Sequence, residues 1–429
     1  MKRPAEVVIV GAGFAGLGCA RELAKHDDDV HVTLIDKHDY HQFLPLLYQV
    51  ATYQLAPVDV SADIEQLFRR HDTIDVKLGE VASIDPAGTT VTLEDGQTFS
   101  GNYLVLAAGS QANFFDTPGS ENVFPLYSLD DARRLRSRIL AVFEDAERDP
   151  SKIDEGALNF VIVGAGATGT EVAGALSELI RHVLPSRFHD LALEKTRVIL
   201  VDLGDTVLGP FSPKAHNYAS KVLTKDGVEL RLGTSVKEIA AGHVVLSDGD
   251  TIPTHCVIWG GGIKAGALAD RSGLKQGRGG RIDVQADLTV TDHPNVYVVG
   301  DIANIPDANG NAFPQLGSVA LQAGVWAAKN IAADIHGEPR TPFEYHDKGI
   351  MAMIGRNAAI AEMGEHRHEL HGPVAFAAWL GVHAWLMSGT RQRVDAFISW
   401  SWDYFRRIDE PEELDSSDAA HIDWGDDDG

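Results

Sequence analysis

The start of the chain has an apolar run followed by a glycine-rich turn, and the same order occurs again later in the chain. The first apolar run, VVIV at residues 7–10, leads directly into the glycine motif GAGFAG at residues 11–16. A small-residue helical pattern follows, and a second apolar run ends in Asp36. A strand, a glycine turn, a helix and a second strand ending in an acid are typical of a dinucleotide-binding unit. The first 36 residues therefore predict such a unit.

Each glycine of this motif has its own physical task. We expect Gly11 to make the tight turn and Gly13 to let the backbone approach a pyrophosphate. Gly16 lets the helix pack closely on the strand, and the free N–H groups at the helix N-terminus face the phosphates. Asp36 can accept hydrogen bonds from the hydroxyls of a ribose.

The same pattern occurs a second time, from FVIVGAGATG at residues 160–169 to a strand that ends in Asp202. Residues 79–109 follow the first unit and residues 233–262 follow the second, and both contain strands around a D-G turn and end in a small-residue corner. A whole dinucleotide-binding fold is therefore duplicated. No basic residue stands directly after Asp202, so this acid favours NADH over NADPH, whose 2′-phosphate it would repel.

A later segment adds groups to the first unit. The apolar strand at residues 295–299 ends in Gly300 and Asp301, which places a carboxylate at the carboxyl edge of a sheet, where ligands bind. A long helix starts near Ser318, and its free N–H groups would stabilise an electron-rich ligand such as a reduced flavin. We expect the first unit, completed by Asp301, to hold a resident FAD, and the second unit to hold NADH.

Glu171 lies near the start of the helix that follows the second glycine motif. One interpretation is structural, because a carboxylate in the first turn complements the helix dipole. The other is a functional acid, because this side of the helix is otherwise small and apolar and faces the ligand end. The sequence favours the functional acid and leaves the structural interpretation open.

Other segments predict local structure. Residues 59–70 predict a helix with a Ser/Asp cap, and Leu129–Arg148 predicts a charged helix. The aromatic and apolar residues 37–55 predict either a helix covering the domain or a segment lying along a flat cofactor. Residues 343–363 predict two strands around a glycine.

Charge and composition narrow the range of partners. The chain has 62 acidic and 37 basic residues, a formal net charge of −25, which argues against a nucleic-acid partner. The two cysteines, Cys19 and Cys256, form no C-x-x-C pair, which excludes a disulfide scaffold and a redox-active dithiol. We expect no signal peptide, no membrane-spanning segment and no metal site. We therefore expect the protein in the cytoplasm or on the cytoplasmic face of a membrane.

The segment before the C-terminal tail is rich in tryptophan and arginine. Four of the seven tryptophans lie here: Trp379, Trp385, Trp400 and Trp402. The apolar part, residues 374–387, is too short to span a bilayer, but tryptophan and arginine beside short apolar helices suit a membrane interface. A dimer interface or a buried helix pair is the alternative.

The motifs together resemble the type II NADH dehydrogenases, single-subunit NADH:quinone oxidoreductases of the two-dinucleotide flavoprotein class. The resemblance rests on VVIVGAGFAGL, HDYHQFLPLLYQVAT, FVIVGAGATGTEVAGAL, NVYVVGDIA and DKGIMAMIGRNAAIA, and it extends to about residue 407. It implies an α/β fold of two Rossmann-like FAD/NAD(P)-binding domains, like that of the pyridine nucleotide-disulfide reductases, with a C-terminal amphipathic helical region that associates with the membrane.

The resemblance also implies the reaction. FAD would be bound non-covalently, NADH would be the electron donor, and a quinone, menaquinone or ubiquinone, would be the acceptor, without proton pumping. The enzyme would lie peripherally on the cytoplasmic face of the cell membrane, and a homodimer stays open. The expected regions are an FAD-binding domain in two parts (1–112 and 283–340), an NADH-binding domain (113–282), a membrane-associating region (341–408) and a disordered acidic tail (409–429).

Site residues are carried over by position. Glu171 would be the catalytic carboxylate beside the nicotinamide and flavin, and Lys348 would lie near the flavin and the quinone. The implied FAD contacts are Gly11, Ala12, Gly13, Gly16, Asp36, Lys37, Val81, Ala108, Gly109, Gly300, Asp301, Val319 and Ala320. The implied NADH contacts are Gly164, Gly166, Gly169, Asp202, Gly261 and Gly262.

One position departs from the family pattern, and two other functions stay open. Many members place an Ala-Gln pair at the start of the long helix, whereas this chain has Gly317 and Ser318 there, with Gln322 a turn later. The departure is compatible with a different quinone or another acceptor. A soluble NADH reductase of ferredoxin or rubredoxin is one alternative, although such acidic partners would be repelled. A non-catalytic flavoprotein that senses NADH is the other.

Overall fold

The computed structural model describes residues 3–26, 28–364 and 366–406, so the expected acidic tail lies outside the described residues. The chain divides into two compact units. The first unit comprises residues 1–42, 62–111 and 263–347. The second unit comprises residues 43–61, 112–262 and 348–429.

The α-helices are, in chain order, α1 (Phe14–Leu23), α2 (Leu47–Ala51), α3 (Ile64–Phe68), α4 (Leu129–Arg148), α5 (Ser151–Asp154), α6 (Ala167–Glu178), α7 (Pro213–Lys225), α8 (Leu268–Arg271), α9 (Gly317–His336), α10 (Pro373–Leu386) and α11 (Thr390–Arg406).

The strands are β1 (Ala5–Val10), β2 (Val30–Asp36), β3 (Tyr40–Gln42), β4 (Ser61–Asp63), β5 (Ile74–Leu78), β6 (Val81–Asp85), β7 (Thr90–Leu93), β8 (Thr98–Ser100), β9 (Tyr103–Leu106), β10 (Ser110–Ala112), β11 (Phe124–Pro125), β12 (Asn159–Val163), β13 (Arg197–Asp202), β14 (Val228–Leu232), β15 (Val236–Ala240), β16 (His243–Leu246), β17 (Thr251–Pro253), β18 (Cys256–Trp259), β19 (Ile263–Ala265), β20 (Ile282–Asp283), β21 (Thr289–Val290), β22 (His293–Val298), β23 (Ala303–Asn304), β24 (Gly349–Gly355), β25 (Ala358–Met363) and β26 (His368–Gly372).

The first unit is built on a six-stranded sheet in the order β21-β22-β9-β1-β2-β5. β1 pairs in parallel with β2 and β9, so that Val10 lies beside Ile35 on one side and Leu106 on the other. β22 continues the parallel order, with Val298 beside Leu106. These apolar strands are buried, as the β-branched runs of a parallel sheet require. The carboxyl ends of the four strands therefore meet at one edge, while α1 and α9 pack against each other.

The second unit repeats this plan. Its five-stranded sheet has the order β11-β18-β12-β13-β14, and all of its pairings are parallel. Val163 at the end of β12 lies beside Val201 and Trp259, the counterparts of Ile35 and Leu106. A three-stranded antiparallel sheet follows each first half, β6–β8 in one unit and β15–β17 in the other. The predicted duplication is thus confirmed.

A third sheet, β24–β26, belongs to the second unit and leads into α10 and α11. Helix α6 packs against β24, and α10 packs against β25. The segment of residues 43–61 also belongs to this unit, because Arg136 of α4 donates hydrogen bonds to the carbonyl oxygens of Val50 and Leu55. The Tyr53 hydroxyl donates in return to the Arg136 carbonyl oxygen.

Several local predictions can be compared with these bounds. The charged helix at Leu129–Arg148 is confirmed, and so are the two strands around a glycine, although the third strand β26 was not predicted. The helix predicted at residues 59–70 is wrong: residues 61–63 form β4, and α3 covers only Ile64–Phe68. The reason is that Asp63, rather than an earlier residue, accepts the capping hydrogen bond from the Gln66 N–H.

The boundary expected at residue 283 also differs from the observed division. Residues 263–282 lie in the first unit, because the Gly266 N–H donates to the Gly109 carbonyl oxygen and Ile282 pairs with Ala303. Within the described part of the chain, no helix combines the length and the apolar character needed to cross a membrane.

Candidate functional site

The turn between β1 and α1, and the packing of α1 against that turn, require glycine at two positions. Gly11 has φ +101°, and a Cβ there would collide with the Ala107 carbonyl group. A Cβ at Gly16 would collide with the Gly11 carbonyl oxygen, so α1 could not approach the strand. At Gly13, by contrast, a Cβ would meet no described atom within 4 Å. The turn is therefore tight inside and open outside, where a phosphate could approach the helix N-terminus.

Asp36 holds this turn in place. Its Oδ2 accepts a hydrogen bond of 2.6 Å from the Ala12 N–H, and its Oδ1 accepts one of 2.8 Å from the His38 N–H. The acid predicted to bind a ribose thus also fixes the glycine turn and the following loop, a role that the sequence argument missed. Lys37 is exposed. Val81 lies two residues after Gly79, whose N–H donates to the Asp36 carbonyl oxygen.

His41 is a further polar group beside the same turn, and the sequence argument missed it. Its Nδ1 lies 2.9 Å from the Ala12 carbonyl oxygen, which can only accept, so Nδ1 carries the hydrogen and Nε2 offers a lone pair. The side chain is buried, and Nε2 has no hydrogen-bond partner among the described residues. Burial lowers the pKa of His41 to about 4, so the ring is neutral at physiological pH. A buried acceptor without a donor is a place for a ligand hydroxyl or N–H.

Asp301 stands at the same sheet edge, after β22. The Ser110 hydroxyl donates to its Oδ2 at 2.9 Å, and the Gln315 amide donates to its carbonyl oxygen at 2.9 Å. Burial raises the pKa of the Asp301 carboxyl, and the hydrogen bond from Ser110 opposes this. Gly300 has φ +75° and packs beside Ala320 of α9.

The structure therefore brings most of the predicted FAD contacts to one edge of the first unit. Ala108 and Gly109 follow β9 at this edge, and Val319 and Ala320 are buried in the first turn of α9. The open glycine turn, the free acceptor of His41 and the carboxylate of Asp301 fit the phosphate, hydroxyl and N–H groups of FAD.

The second unit repeats the turn with the same geometry. Gly164 has φ +99° and packs against Gly260 and Gly261, while Gly169 packs against the Gly164 carbonyl oxygen. A Cβ at Gly166 would meet no described atom within 4 Å, as at Gly13. This turn too is open on its ligand side.

Asp202 holds the second turn as Asp36 holds the first. Its Oδ2 accepts from the Ala165 N–H at 2.6 Å, and its Oδ1 accepts from the Gly204 N–H at 2.6 Å. Gly262 lies at the small-residue corner of this unit, where its N–H donates to the Tyr127 hydroxyl at 3.1 Å. The predicted NADH contacts thus share one edge of the second unit.

Glu171 is the fifth residue of α6, two positions after the last glycine of this motif, so it lies beyond the first helical turn in which the sequence argument placed it. Its Oε1 accepts a hydrogen bond of 3.1 Å from the Met353 N–H of β24. Desolvation raises the pKa of Glu171 to about 8, although the hydrogen bond from Met353 favours the charged form. The carboxyl group is therefore mostly protonated at neutral pH. A perturbed acid beside a nucleotide-binding turn is a candidate for proton transfer.

Lys348 immediately precedes β24, and its carbonyl oxygen accepts from the Gly364 N–H. Across the described residues no hydrogen bond or ion pair joins Lys348 to Glu171. The two predicted catalytic residues are linked through one strand, since Met353 of β24 contacts Glu171.

Tyr48 and its neighbours form a buried polar chain beside α6. The Gln49 amide nitrogen lies 3.1 Å from the Tyr48 hydroxyl, and the Trp400 indole N–H donates to Gln49 Oε1 at 2.8 Å. Burial raises the pKa of Tyr48, and the charge of Glu171 raises it further. Trp379 packs its ring edge-on against Tyr48 and stacks on His383.

The helices α10 and α11 carry apolar side chains on both buried and exposed faces. Trp379 and Ala396 are fully buried, and Trp400 is nearly so. The exposed apolar side chains form a second set: Val374, Trp385, Leu386, Val394, Phe397, Ile398 and Trp402. The buried set packs the hairpin of α10 and α11 onto the second unit. The exposed set does not contribute to this packing, and exposed apolar patches mark interaction sites. We call this second set the exposed apolar face.

Comparisons with known proteins find relatives that are named as oxidoreductases. The model of the pyridine nucleotide-disulphide oxidoreductase family matches residues 5–324. The type II NADH:quinone oxidoreductase Ndh of Mycobacterium tuberculosis is 36% identical over 412 residues, which cover 92% of this chain and 87% of the relative. NdhA of the same organism, also named a type II NADH:quinone oxidoreductase, is 37% identical over 419 residues, which cover 94% and 87%.

Solved structures share the fold at low sequence identity. NDH2 from Plasmodium falciparum, solved in complex with NADH, has a TM-score of 0.87 and 16% identity, and the match covers 94% of this chain and 99% of that chain. The sulfide:quinone oxidoreductase of Aquifex aeolicus has a TM-score of 0.74 and 18% identity, with 94% and 96% covered.

Proposed function

The chain belongs to the pyridine nucleotide-disulphide oxidoreductase family and, within it, to the type II NADH:quinone oxidoreductases, and from this premise we propose that it oxidises NADH and reduces a quinone. The structural observation that carries the proposal is the repeated glycine turn, held by Asp36 in one unit and by Asp202 in the other. Two such turns suit two dinucleotides in one chain.

We assign FAD to the first unit as its resident cofactor, bound non-covalently. The N-terminus of α1 would receive the pyrophosphate, Asp36 the ribose, and His41 and Asp301 further polar groups of the cofactor. When bound, FAD supplies the two-electron chemistry between NADH and the acceptor. The residues named here would hold and orient the cofactor.

NADH is assigned to the second unit. The open turn at Gly166 leaves room for the pyrophosphate, and Asp202 would favour the 2′-hydroxyl of NADH over the 2′-phosphate of NADPH. Gly261 and Gly262 keep the corner beside the turn free of side chains. Glu171 lies on α6, the helix that follows this turn, and its protonated carboxyl group would take part in the reaction.

Glu171 is proposed to hold and transfer a proton. Oxidation of NADH by a quinone forms NAD⁺ and a quinol, and its balance requires one proton besides the hydrogen that NADH supplies. With a pKa of about 8, the carboxyl group carries a proton at neutral pH and can give it up to a developing oxyanion. Lys348 would add positive charge for the same step.

The quinone substrate and the exposed apolar face lead us to place the enzyme peripherally on the cell membrane, on its cytoplasmic side. Tryptophan and aliphatic side chains on a short helical hairpin suit insertion among lipid headgroups. We further propose, from the family resemblance, that the reaction pumps no protons. A membrane position would give the enzyme direct access to a lipid-soluble acceptor.

Steady-state kinetics test this function against its alternatives. The FAD-loaded protein should consume NADH and form quinol in a ratio of one to one, with little NADH oxidation when ferredoxin or rubredoxin replaces the quinone. Turnover with ferredoxin at the higher rate would support the soluble reductase instead. Binding of NADH without turnover of any acceptor would support the sensor.

A further inference from the structure

The parallel strands of the second unit fix the order of the groups along its ligand-binding edge. The strands lie in the order β11, β18, β12 and β13, and they all end at one edge because every pairing is parallel. Asp202 ends β13, and the open turn at Gly166 follows β12. Gly262 follows β18, and Tyr127 lies two residues after the end of β11. Since neighbouring strands are about 4.8 Å apart, these groups form a row with Asp202 at one end and Tyr127 at the other.

A dinucleotide that follows this row has its two halves at opposite ends. Ligands of such sheets bind outside the carboxyl ends of the strands, with the pyrophosphate at the glycine turn. With the adenosine ribose at Asp202 and the pyrophosphate at Gly166, the nicotinamide half would extend over β18 and β11. The carboxamide of the nicotinamide ring would then be the last hydrogen-bonding group on the side of Gly262 and Tyr127.

The corner at Gly262 is held from two sides. Its carbonyl oxygen accepts from the Asn113 N–H at 3.0 Å, and its N–H donates to the Tyr127 hydroxyl at 3.1 Å. Gly262 has φ +145°, and a Cβ there would come within 4 Å of the Phe115 ring alone among the described residues outside its own chain neighbours. Gly262 and Tyr127 are both partly exposed. The corner is therefore fixed in position and leaves space beside the Tyr127 hydroxyl.

The Tyr127 hydroxyl can still donate a hydrogen bond. Its oxygen accepts from Gly262, so its own hydrogen points elsewhere, and the described part of the chain contains no acceptor bonded to that hydrogen. Burial raises the pKa of Tyr127, so the phenol keeps this hydrogen at neutral pH. A hydroxyl that accepts a hydrogen bond is also polarised into a stronger donor. Tyr127 thus offers a donor at the end of the row where the carboxamide would lie.

We propose that the Tyr127 hydroxyl donates a hydrogen bond to the carboxamide oxygen of the nicotinamide ring and so contributes to the binding of NADH. The inference rests on the proposed function, because it takes NADH to be the ligand of the second unit. The Tyr127 O–H bond stays intact throughout, so this residue binds the substrate and transfers no proton.

Isothermal titration calorimetry of the oxidised, FAD-loaded protein tests this contact without turnover. One probe is NAD⁺, which carries the carboxamide and does not reduce the flavin. The other is ADP-ribose, which has both riboses and the pyrophosphate but no nicotinamide. In Tyr127→Phe the dissociation constant for NAD⁺ should rise by about three- to tenfold, the effect of one lost hydrogen bond between neutral groups. The dissociation constant for ADP-ribose should stay unchanged.

Two further variants serve as references. Tyr218→Phe removes a hydroxyl that likewise accepts from a glycine N–H, that of Gly372 in β26, and it should change neither dissociation constant. Asp202→Ser should weaken both ligands, because both carry the adenosine ribose.

Two results would overturn the proposal. One is an unchanged dissociation constant for NAD⁺ in Tyr127→Phe. The other is an equal rise for NAD⁺ and ADP-ribose, which would mean that Tyr127 only holds the Gly262 corner. A protein that shows the expected pattern with NAD⁺ but reduces no quinone would contradict the proposed function and leave the Tyr127 contact supported.

Discussion

The Met353 N–H donates a hydrogen bond of 3.1 Å to Oε1 of Glu171, although the two residues are 182 positions apart in the chain. This bond ties the acid of the second glycine-turn helix to the first strand of the C-terminal sheet. A carboxyl group that served only the helix dipole would need no such partner. The bond thus gives Glu171 a structural role that the sequence argument missed, and its proposed role in proton transfer rests on the pKa of about 8 that burial produces.

Glu171→Gln should lower kcat for quinone reduction by about 100-fold, because an amide cannot transfer the proton. The protonated carboxyl group is the active form, so in the unchanged enzyme the rate should fall as the pH rises through about 8. The variant should retain FAD, and its rate should no longer fall as the pH rises. The measurement is the steady-state rate between about pH 6 and about pH 9.5, taken in steps of about half a pH unit. A variant whose pH profile equals that of the unchanged enzyme would exclude Glu171 from the mechanism.

Asp202→Ser should relax the preference for NADH. Loss of the carboxylate removes an acceptor for the 2′-hydroxyl and the repulsion of a 2′-phosphate, so the ratio of kcat/KM for NADH to that for NADPH should fall by about tenfold. Because Asp202 also holds the turn through the Ala165 and Gly204 N–H groups, KM for NADH should rise as well. Asp205→Ser removes one charge from the same loop and serves as the control. An equal change of the ratio in both variants would argue against a specific ribose contact.

His41→Leu should weaken the retention of FAD by about tenfold in dissociation constant, because the buried acceptor and the bond to Ala12 are both lost. The ratio of flavin to protein absorbance after gel filtration measures this directly. His38→Ala is the control, since only its backbone N–H contacts Asp36. Full flavin content in His41→Leu after prolonged dialysis would show that the cofactor does not use this nitrogen.

Replacing Phe397 and Ile398 by serine should reduce binding to vesicles of anionic and neutral lipids by at least about tenfold, because these exposed side chains would insert into the bilayer. Co-sedimentation measures the bound fraction. Leu78 and Leu203 are exposed apolar residues outside the hairpin, and their replacement by serine should leave binding unchanged. If the two double variants sediment alike, the exposed apolar face is not the membrane contact.

Sequence reasoning reached the two glycine turns because their chemistry is local. Val7 to Gly16 fixes a strand, a turn and a helix through neighbours in the chain, and the charged helix Leu129–Arg148 is readable from its own periodicity. Asp36 and Asp202 were assigned to ribose alone, because their bonds to the turn appear only once the two strands are adjacent.

Other features depend on contacts that a sequence pattern does not display. Trp400 and Gln49 are 351 positions apart, and their hydrogen bond follows from the docking of α11 on residues 43–61. For the tryptophan-rich segment the sequence predicts a membrane interface, with a dimer interface or a buried helix pair as the alternative. The structure contains both kinds of position, since Trp379 and Trp400 are buried while Trp385 and Trp402 are exposed. Burial divides residues of the same type according to the helix face on which they lie, and only the packed structure identifies that face.

Stopped-flow absorbance of the bound flavin tests the central claim, that electrons of NADH pass through FAD to a quinone. NADH should bleach the flavin rapidly and NADPH much more slowly, and a water-soluble menaquinone analogue should restore the flavin absorbance at a rate no slower than steady-state turnover. Bleaching by NADH followed by return of the absorbance at the same slow rate with and without quinone would contradict the account.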